Sequence, residues 1–474
     1  MSQAFREAPA TFWLHLAVFI VLAFDALKNR NRPWFLPSIV VYGTVLFWYT
    51  ADYLFSPRQD FRLFPPEAIS DAFLQVALFL VSFRLFVGLL LTWIIPRRLL
   101  AKGGFNLKDL SQISRRISQR FLQNALVALI LGWCGVLIIG IVFTGSDWPA
   151  LIWPSLRTEK ISMYPMARVG GGASFLFNAI GYIHILICAL FGVIAVLARG
   201  PVRLIAIFFT LISWPYFWFD RARSKMLSLL LPGLSSFLLF GSRSVAVKLV
   251  ILVVAGLGIS FWFGKVMEFR AEGSMSSFVD KDDAKEDTET NGEKKESEAR
   301  VGQDMFKELC WINVYLQSGR YLPNWGMRYL AEIVNPIPRA IWPDKPMPGI
   351  DYSIVRGFGS RQGDAGVSAT ISTGMIGQGV VNFGRFPGTI AAAFLFSLWA
   401  ILLARLWCQR DTTQRALLFL IGLGLTLNTG RDLTLLVLFP FVFAFLAVLF
   451  YEAKSPKYSA HARSPNSKDT PKIG

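Results

Sequence analysis

The sequence predicts an all-α polytopic membrane protein, and two observations carry that prediction. First, 54% of the 474 residues are hydrophobic and only 17% are charged, where soluble domains run near ~25% charged. Second, apolar runs long enough to cross a hydrocarbon core of ~30 Å as helices recur along most of the chain. Helices are the expected form because lipid cannot hydrogen-bond a bare peptide group.

The apolar runs place spans near 11–27, 34–55, 72–95, 121–143, 174–198, 204–219, 227–240, 245–264, 386–404, 416–430 and 433–451. This amounts to about 10–11 transmembrane helices with one large outer loop region. The formal charge of +17 does not point to nucleic acid, because lysine and arginine gather in short segments beside spans, where positive charge sets orientation. Lys28 to Arg32, the 96–120 segment with Arg97, Arg98 and Arg120, and the tail after Lys454 are expected in the cytoplasm. The amino terminus and the 56–71, 144–173 and 265–385 segments are expected outside. The organisation is then an N-terminal bundle (1–264), an outer region (265–385), C-terminal membrane helices (386–451) and a basic cytoplasmic tail (452–474). Asp220 to Lys225 strains this scheme. It falls outside if both flanking short runs cross, so one of them is expected to be re-entrant or tilted within protein.

Other features limit the chemistry. The four cysteines show no Cys-x-x-Cys or zinc-type spacing, and the first apolar run lacks the small-residue cleavage site of a signal peptide. Asp280 to Glu298 holds nine acids and four lysines without an aromatic residue, the composition of a disordered insert. Its Asp280-Lys-Asp282 has metal-binding spacing, but acids this dense produce that by chance. Asp25 reads as a helix-end residue reaching the headgroups, and Arg84, deeper, as either that or a charge facing a cavity or partner. Trp148, Trp153 and Tyr164 are interface anchors or a sugar-stacking platform, and Arg168 beside Gly170 to Gly172 could hold an anion. Residues 306–316 have the spacing of an amphipathic helix, on the membrane surface or beneath the outer region.

The most distinctive stretch is Asn335-Pro-Ile-Pro-Arg-Ala-Ile-Trp-Pro-Asp-Lys345. Its prolines fix φ, remove donors and bias their predecessors away from helix, giving a rigid extended loop. Arg320, Arg328, Arg356, Arg361 and Arg385 surround it in the sequence. The outer side has no histidine; His15 and His184 lie in spans, where a satisfied core residue is expected, and His461 lies in the tail. Ser-His-Asp catalysis and a histidine zinc site therefore lack their parts, and no Gly-x-x-x-x-Gly-Lys loop indicates ATP hydrolysis. Guanidinium forks bind phosphate oxygens bidentately, so an arginine-rich outer loop above apolar spans fits a lipid diphosphate. Such a site would stabilise the diphosphate as it leaves, while a carboxylate such as Asp344 takes a proton from an attacking sugar hydroxyl. Arg328 and Arg361 join this anion-binding set, and structural ion pairing is the competing role for each arginine.

Three stretches together resemble the Wzy-type oligosaccharide repeat-unit polymerases of O-antigen and exopolysaccharide synthesis. They are Gly241-Ser-Arg243-Ser, the loop with Asn335-Pro-Ile-Pro-Arg339-Ala-Ile-Trp342-Pro-Asp344-Lys345-Pro, and Gly377-Gln378-Gly-Val-Val-Asn382-Phe-Gly384. The resemblance implies a GT-C-like helical glycosyltransferase without cofactor or metal. It would move a glycan from undecaprenyl diphosphate to the next lipid-linked repeat unit, outside the bacterial inner membrane. Carried over by position, Arg243, Arg339, Lys345 and Arg431 would serve the diphosphates, Asp344 would position the loop or act as base, and Trp342, Gln378 and Asn382 would shape the site. Partners would be the undecaprenyl-diphosphate-linked oligosaccharide, membrane lipids and a chain-length regulator. Such proteins often carry glutamate where Gln378 stands, and Gln378 cannot replace a carboxylate base. The nearest rival is an O-antigen ligase, for which an outer-loop histidine would be expected. A transporter or flippase of anionic glycans would draw on Asp25 and Arg84 but lacks an internal repeat.

Overall fold

The computed structural model describes residues 5, 7–100, 104, 117–144, 174–219, 223–241, 243–279, 304–334, 337, 341–346, 349–357, 371–431, 433 and 435–454. Arg339, Arg361, the acidic insert, Trp148, Trp153, Tyr164, Arg168 and the tail beyond Lys454 lie outside them. In chain order the main helices are α1 (Ala10–Lys28), α2 (Phe35–Val45), α3 (Pro66–Ile94), α4 (Gln119–Thr144), α5 (Ser174–Leu197), α6 (Gly200–Phe219), α7 (Arg223–Phe240), α8 (Val245–Val279), α9 (Met305–Gln317), α10 (Met327–Val334), α11 (Ile350–Val355), α12 (Gly374–Phe383), α13 (Arg385–Cys408), α14 (Thr413–Thr429) and α15 (Leu435–Lys454). No strand occurs among the described residues. Every expected apolar run coincides with helix, and seven helices are long and apolar enough to cross a membrane: α1, α3, α4, α5, α6, α8 and α13.

The bundle has two distinct ends. At one, Arg410 donates to the Gly104 carbonyl (3.2 Å), the Arg199 N–H to Gln119 (3.0 Å), and Arg415 pairs with Glu452 (2.7 Å). This is the basic end. At the loop end, Phe306 of α9 enters an aromatic cluster, 4.3 Å from the Phe73 ring and 5.5 Å from Tyr53. Burying such a ring contributes roughly 1.5–3 kcal/mol, which accounts for α9 lying beneath the loop segments rather than on a membrane surface.

The segments 204–219 and 227–240, one of them expected to be re-entrant or tilted, are both helical over their whole length. α6 and α7 are continuous helices despite Pro215 and Pro232. Asn428, in the last turn of α14, donates to the Ser224 carbonyl (2.9 Å) and the Ser228 hydroxyl (2.7 Å), fixing the start of α7 at the loop end. α12, by contrast, is a short helix enclosed by the bundle. All residues from Gly374 to Asn382 are buried, and α12 packs lengthwise on α13. Small residues permit this close approach: a Cβ on Gly379 would stand 2.9 Å from Ala392 and closer still to the Gly388 carbonyl.

α2 runs through a π-helical turn, Leu46–Thr50, into the helical turn Ala51–Phe55. Trp48, Tyr49 and Thr50 are consecutive and all buried, and each serves a different element. The Trp48 indole donates to the Leu427 carbonyl (2.7 Å), the Tyr49 phenol accepts from the Ile376 N–H (2.9 Å), and the Thr50 hydroxyl meets His15 (3.2 Å). An α-turn spreads three successive side chains over most of its circumference; the wider π-turn accommodates the three contacts, and such turns recur at functional sites.

Candidate anion-binding site at the loop end

α12 organises the loop end through two side chains one turn apart. The Gln378 amide accepts from the Leu433 N–H (3.1 Å) and donates to the Leu433 carbonyl (3.4 Å). This clamps the turn after α14, where the Gly430 carbonyl also accepts from the Met375 N–H (2.9 Å) and Arg431 sits half-buried. Asn382 accepts from the Arg328 N–H (3.2 Å) and donates to the Gln378 carbonyl (2.7 Å), tying the start of α10 to the same helix. The Trp325 N–H reinforces this by donating to the Asn382 carbonyl (2.7 Å). Both anchors are four residues apart on α12, about 6 Å along its axis. The Arg328 backbone and the turn bearing Arg431 are thus tied to the same helix, with Asn382 and Gln378 as fasteners. Gln378 performs a task that a carboxylate could not, since it must donate as well as accept.

Arg328 is 4% exposed, and its guanidinium donates to the Ile371 carbonyl (3.3 Å). Tyr321 lies in its field; burial, only partly offset by Arg328, pushes that phenol up to about 12. Glu332 is also buried and follows Arg328 by four residues on α10, so the two share a helix face. This carboxylate was legible in sequence as an i, i+4 pair, yet its neighbours Leu330 and Ile333 disguised which face turns inward.

The proline loop supplies less than the sequence suggested. Asp344 is exposed, as is Trp342, and the Lys345 ammonium donates to the Ile337 carbonyl (2.7 Å), folding the loop back on itself. Arg339 and Arg361 lie outside the described residues. Arg243 is not brought to this group: Ser224 and Phe263, which stacks on Trp48 at 6.4 Å, are both at the loop end. Arg243 lies between them in sequence, at the far tips of α7 and α8, about 25 Å away at the basic end.

Two other arginines are engaged structurally. Arg385 pairs with Asp71. Arg356 pairs with Glu308 (3.1 Å) and covers the Trp311 ring at 4.7 Å, while the Tyr352 phenol donates to the same carboxylate. Burial opposes the Arg356 charge, but Glu308 outweighs it and holds the guanidinium above its ordinary value. Burial and then Glu308 hold the Tyr352 phenol well above its own. Below them, Asp52 caps α9 from 254 residues away, accepting from the Phe306 (3.0 Å) and Lys307 (3.1 Å) N–H groups, with Lys307 paired to Asp60 (2.8 Å). Gln75 and Asn313 exchange two amide hydrogen bonds of 2.9 Å. None of these partners is near in sequence, and no local signal announces them.

Within the spans, Arg84 pairs with Asp25 at 2.7 Å and stacks over Trp34 at 4.4 Å. His15 meets the Thr50 hydroxyl, and His184 packs on Tyr216 and Phe217. The fold therefore defines a multi-pass, all-helical membrane protein with a short buried helix at its loop end. Comparison with known proteins takes the class no further: no family model, no curated protein and no solved structure matches the chain.

Proposed function

We propose that this protein is a GT-C-like polymerase of lipid-linked oligosaccharide repeat units, of the Wzy type, in the bacterial inner membrane. The observation that supports it best is the tethering of Arg328 and of the turn bearing Arg431 to one buried helix at the loop end, by Asn382 and Gln378. That location is opposite the basic end, which the positive-inside rule assigns to the cytoplasm. Arg328 and Arg431, with Arg339, Lys345 and Arg361 from the loop, would hold the undecaprenyl diphosphate. The bond between sugar C1 and the diphosphate oxygen breaks, and the diphosphate leaves with the electron pair while the guanidinium charges stabilise it. A hydroxyl oxygen of the next repeat unit bonds to C1, and its proton passes to Asp344. Trp342 would pack against the sugar.

The transport reading is weakened by the Asp25–Arg84 pair, since each charge has its partner within the fold. The test is glycan chain length on gels from cells lacking this gene, complemented with wild type, Arg431→Ala, Arg339→Ala or Arg243→Ala. Loss of a charge-assisted contact of roughly 1.5–3 kcal/mol slows transfer about 10- to 150-fold. Long chains should vanish with Arg431→Ala and Arg339→Ala, leaving a single capped unit, and persist with Arg243→Ala. Loss of all surface glycan from the deletion, single unit included, would favour ligation or translocation instead.

A further inference from the structure

α10 is built inside out. Its charged residues point inward, with Arg328 4% and Glu332 9% exposed, while Met327, Leu330 and Ile333 point outward, Ile333 at 73%. Their spacing of three residues sets them on one face. In water such a face would be a liability, and exposed apolar patches of this kind mark interaction sites. Just before α10, Trp325 is 78% exposed and held at φ 52°, a left-handed conformation that is uncommon outside glycine.

The position of this face identifies what covers it. Gly326 packs on the Phe383 ring at the corner between α12 and α13, 3.4 Å from where a Cβ would stand. Beyond that corner α13, one of the membrane-crossing helices, carries Phe386, Ile390, Phe394 and Leu398 exposed at a strict four-residue spacing. This is a lipid-facing stripe, and α10 begins where it ends. At the other end of α10, Glu332 lies within electrostatic reach of Tyr182 on α5, whose ring meets Phe439 of α15 at 5.1 Å. α10 therefore packs on α12 beside the corner from which α13 enters the bilayer, with its far end within electrostatic reach of α5.

We infer that α10 is a monotopic strap whose outward face, Met327, Leu330 and Ile333, lies in the acyl region of the adjoining leaflet, with Trp325 anchoring it at the headgroup level. Amphipathic helices bind bilayers this way, by apolar burial along one face, and tryptophan concentrates at the boundary. The occupant is phospholipid rather than a protein partner, because the face continues a surface that lipid already covers. A corollary rests on the polymerase reading, although the lipid contact does not: an anionic lipid head could reach Arg328 from beneath the strap without leaving the leaflet.

Spin labels test this in the full-length protein, reconstituted in vesicles of phosphatidylethanolamine and phosphatidylglycerol. On a Cys134→Ala background, which removes the exposed native thiol, nitroxides are placed at Leu330→Cys and Ile333→Cys. Met327→Cys replaces either variant that does not fold. Asp351→Cys is the aqueous reference and Phe394→Cys the lipid reference. The ratio of oxygen to nickel-chelate accessibility at 330 and 333 should exceed that at 351 several-fold and approach that at 394. A ratio equal to that at 351 would overturn the inference by showing a hydrated face. Protection from both quenchers would overturn it too, by showing a second copy or another protein seated there.

Discussion

Gln378 holds Leu433 in both directions, accepting from its N–H and donating to its carbonyl across 55 positions of sequence. One buried amide thereby fixes the turn bearing Arg431 against α12. Gln378→Glu should destabilise the protein by about 1–3 kcal/mol, since a carboxylate leaves the Leu433 carbonyl without its donor. Thermal unfolding in detergent would register this as a lower midpoint. An unchanged midpoint would mean that the clamp is unimportant to the fold.

The contact between α12 and α13 admits no added carbon. Gly379→Ala and Gly388→Ala each drive a Cβ into the backbone of the partner helix, and overpacking of this kind costs about 1–3 kcal/mol. Both variants should show reduced yield of monodisperse protein in size-exclusion chromatography. Gly256→Ala, whose Cβ would meet open space, is the control expected to behave as wild type.

The pair Asp25 and Arg84 should behave as a unit. Asp25→Ala and Arg84→Ala each leave a charge without its partner near the membrane, where an isolated charge is costly. The exchange Asp25→Arg with Arg84→Asp should recover folded protein that either single charge reversal loses, as measured by fluorescence-detected chromatography. Failure of the exchange would place the role of Arg84 in its stacking on Trp34 instead.

Cys310 should be silent to alkylation. The thiol is fully buried, and burial pushes its pKa well above the ordinary value, with the Asp52 and Glu308 charges adding to the effect. Since the thiolate is the reactive form, labelling at 310 should appear only after denaturation, and raising the pH to about 9 should not induce it, although free thiols ionise near 8.5. The linkage has a definite sign. A raised folded pKa contributes stability below the unfolded value, and that contribution is lost as pH climbs from there toward the folded value. Tyr352, raised in the same sense, extends the decline to higher pH. The unfolding midpoint should therefore fall above about pH 8.5, and less steeply in Cys310→Ala. A midpoint that rises over this interval would contradict the burial of both groups.

The spans were legible because each is a run of apolar residues whose length alone identifies it. The packing of α12 was not, since ten residues with three glycines, at positions 374, 377 and 379, and a fourth just after them at 384, indicate close approach without naming the partner. The arginine loop shows the same limit more sharply. Arg356 and Arg385 look like substrate ligands until Glu308 and Asp71 are found beside them, 48 and more than 300 positions away. Arg243 looks like a neighbour of the outer arginines until α7 and α8 are seen to carry it to the basic end. Gln378 looks like a missing base until Leu433 is placed against it. For Arg356, Arg385 and Gln378 a long-range partner decided the use of the side chain, and for Arg243 the course of two helices did.

The π-turn at Leu46–Thr50 has a consequence for how the gene tolerates change in length. It accommodates one residue more than an α-turn in the same space. Deleting a single codon there would relax the segment to ordinary helix while leaving the residues after it in place. Trp48, Tyr49 and Thr50 could then no longer reach the Leu427 carbonyl, the Ile376 N–H and His15 together, and contacts that join distant parts of the chain would be lost. Substitutions at Leu46 or Phe47 should be far better tolerated than any in-frame deletion between them and Thr50, so variation in this stretch is expected to change letters while preserving their number.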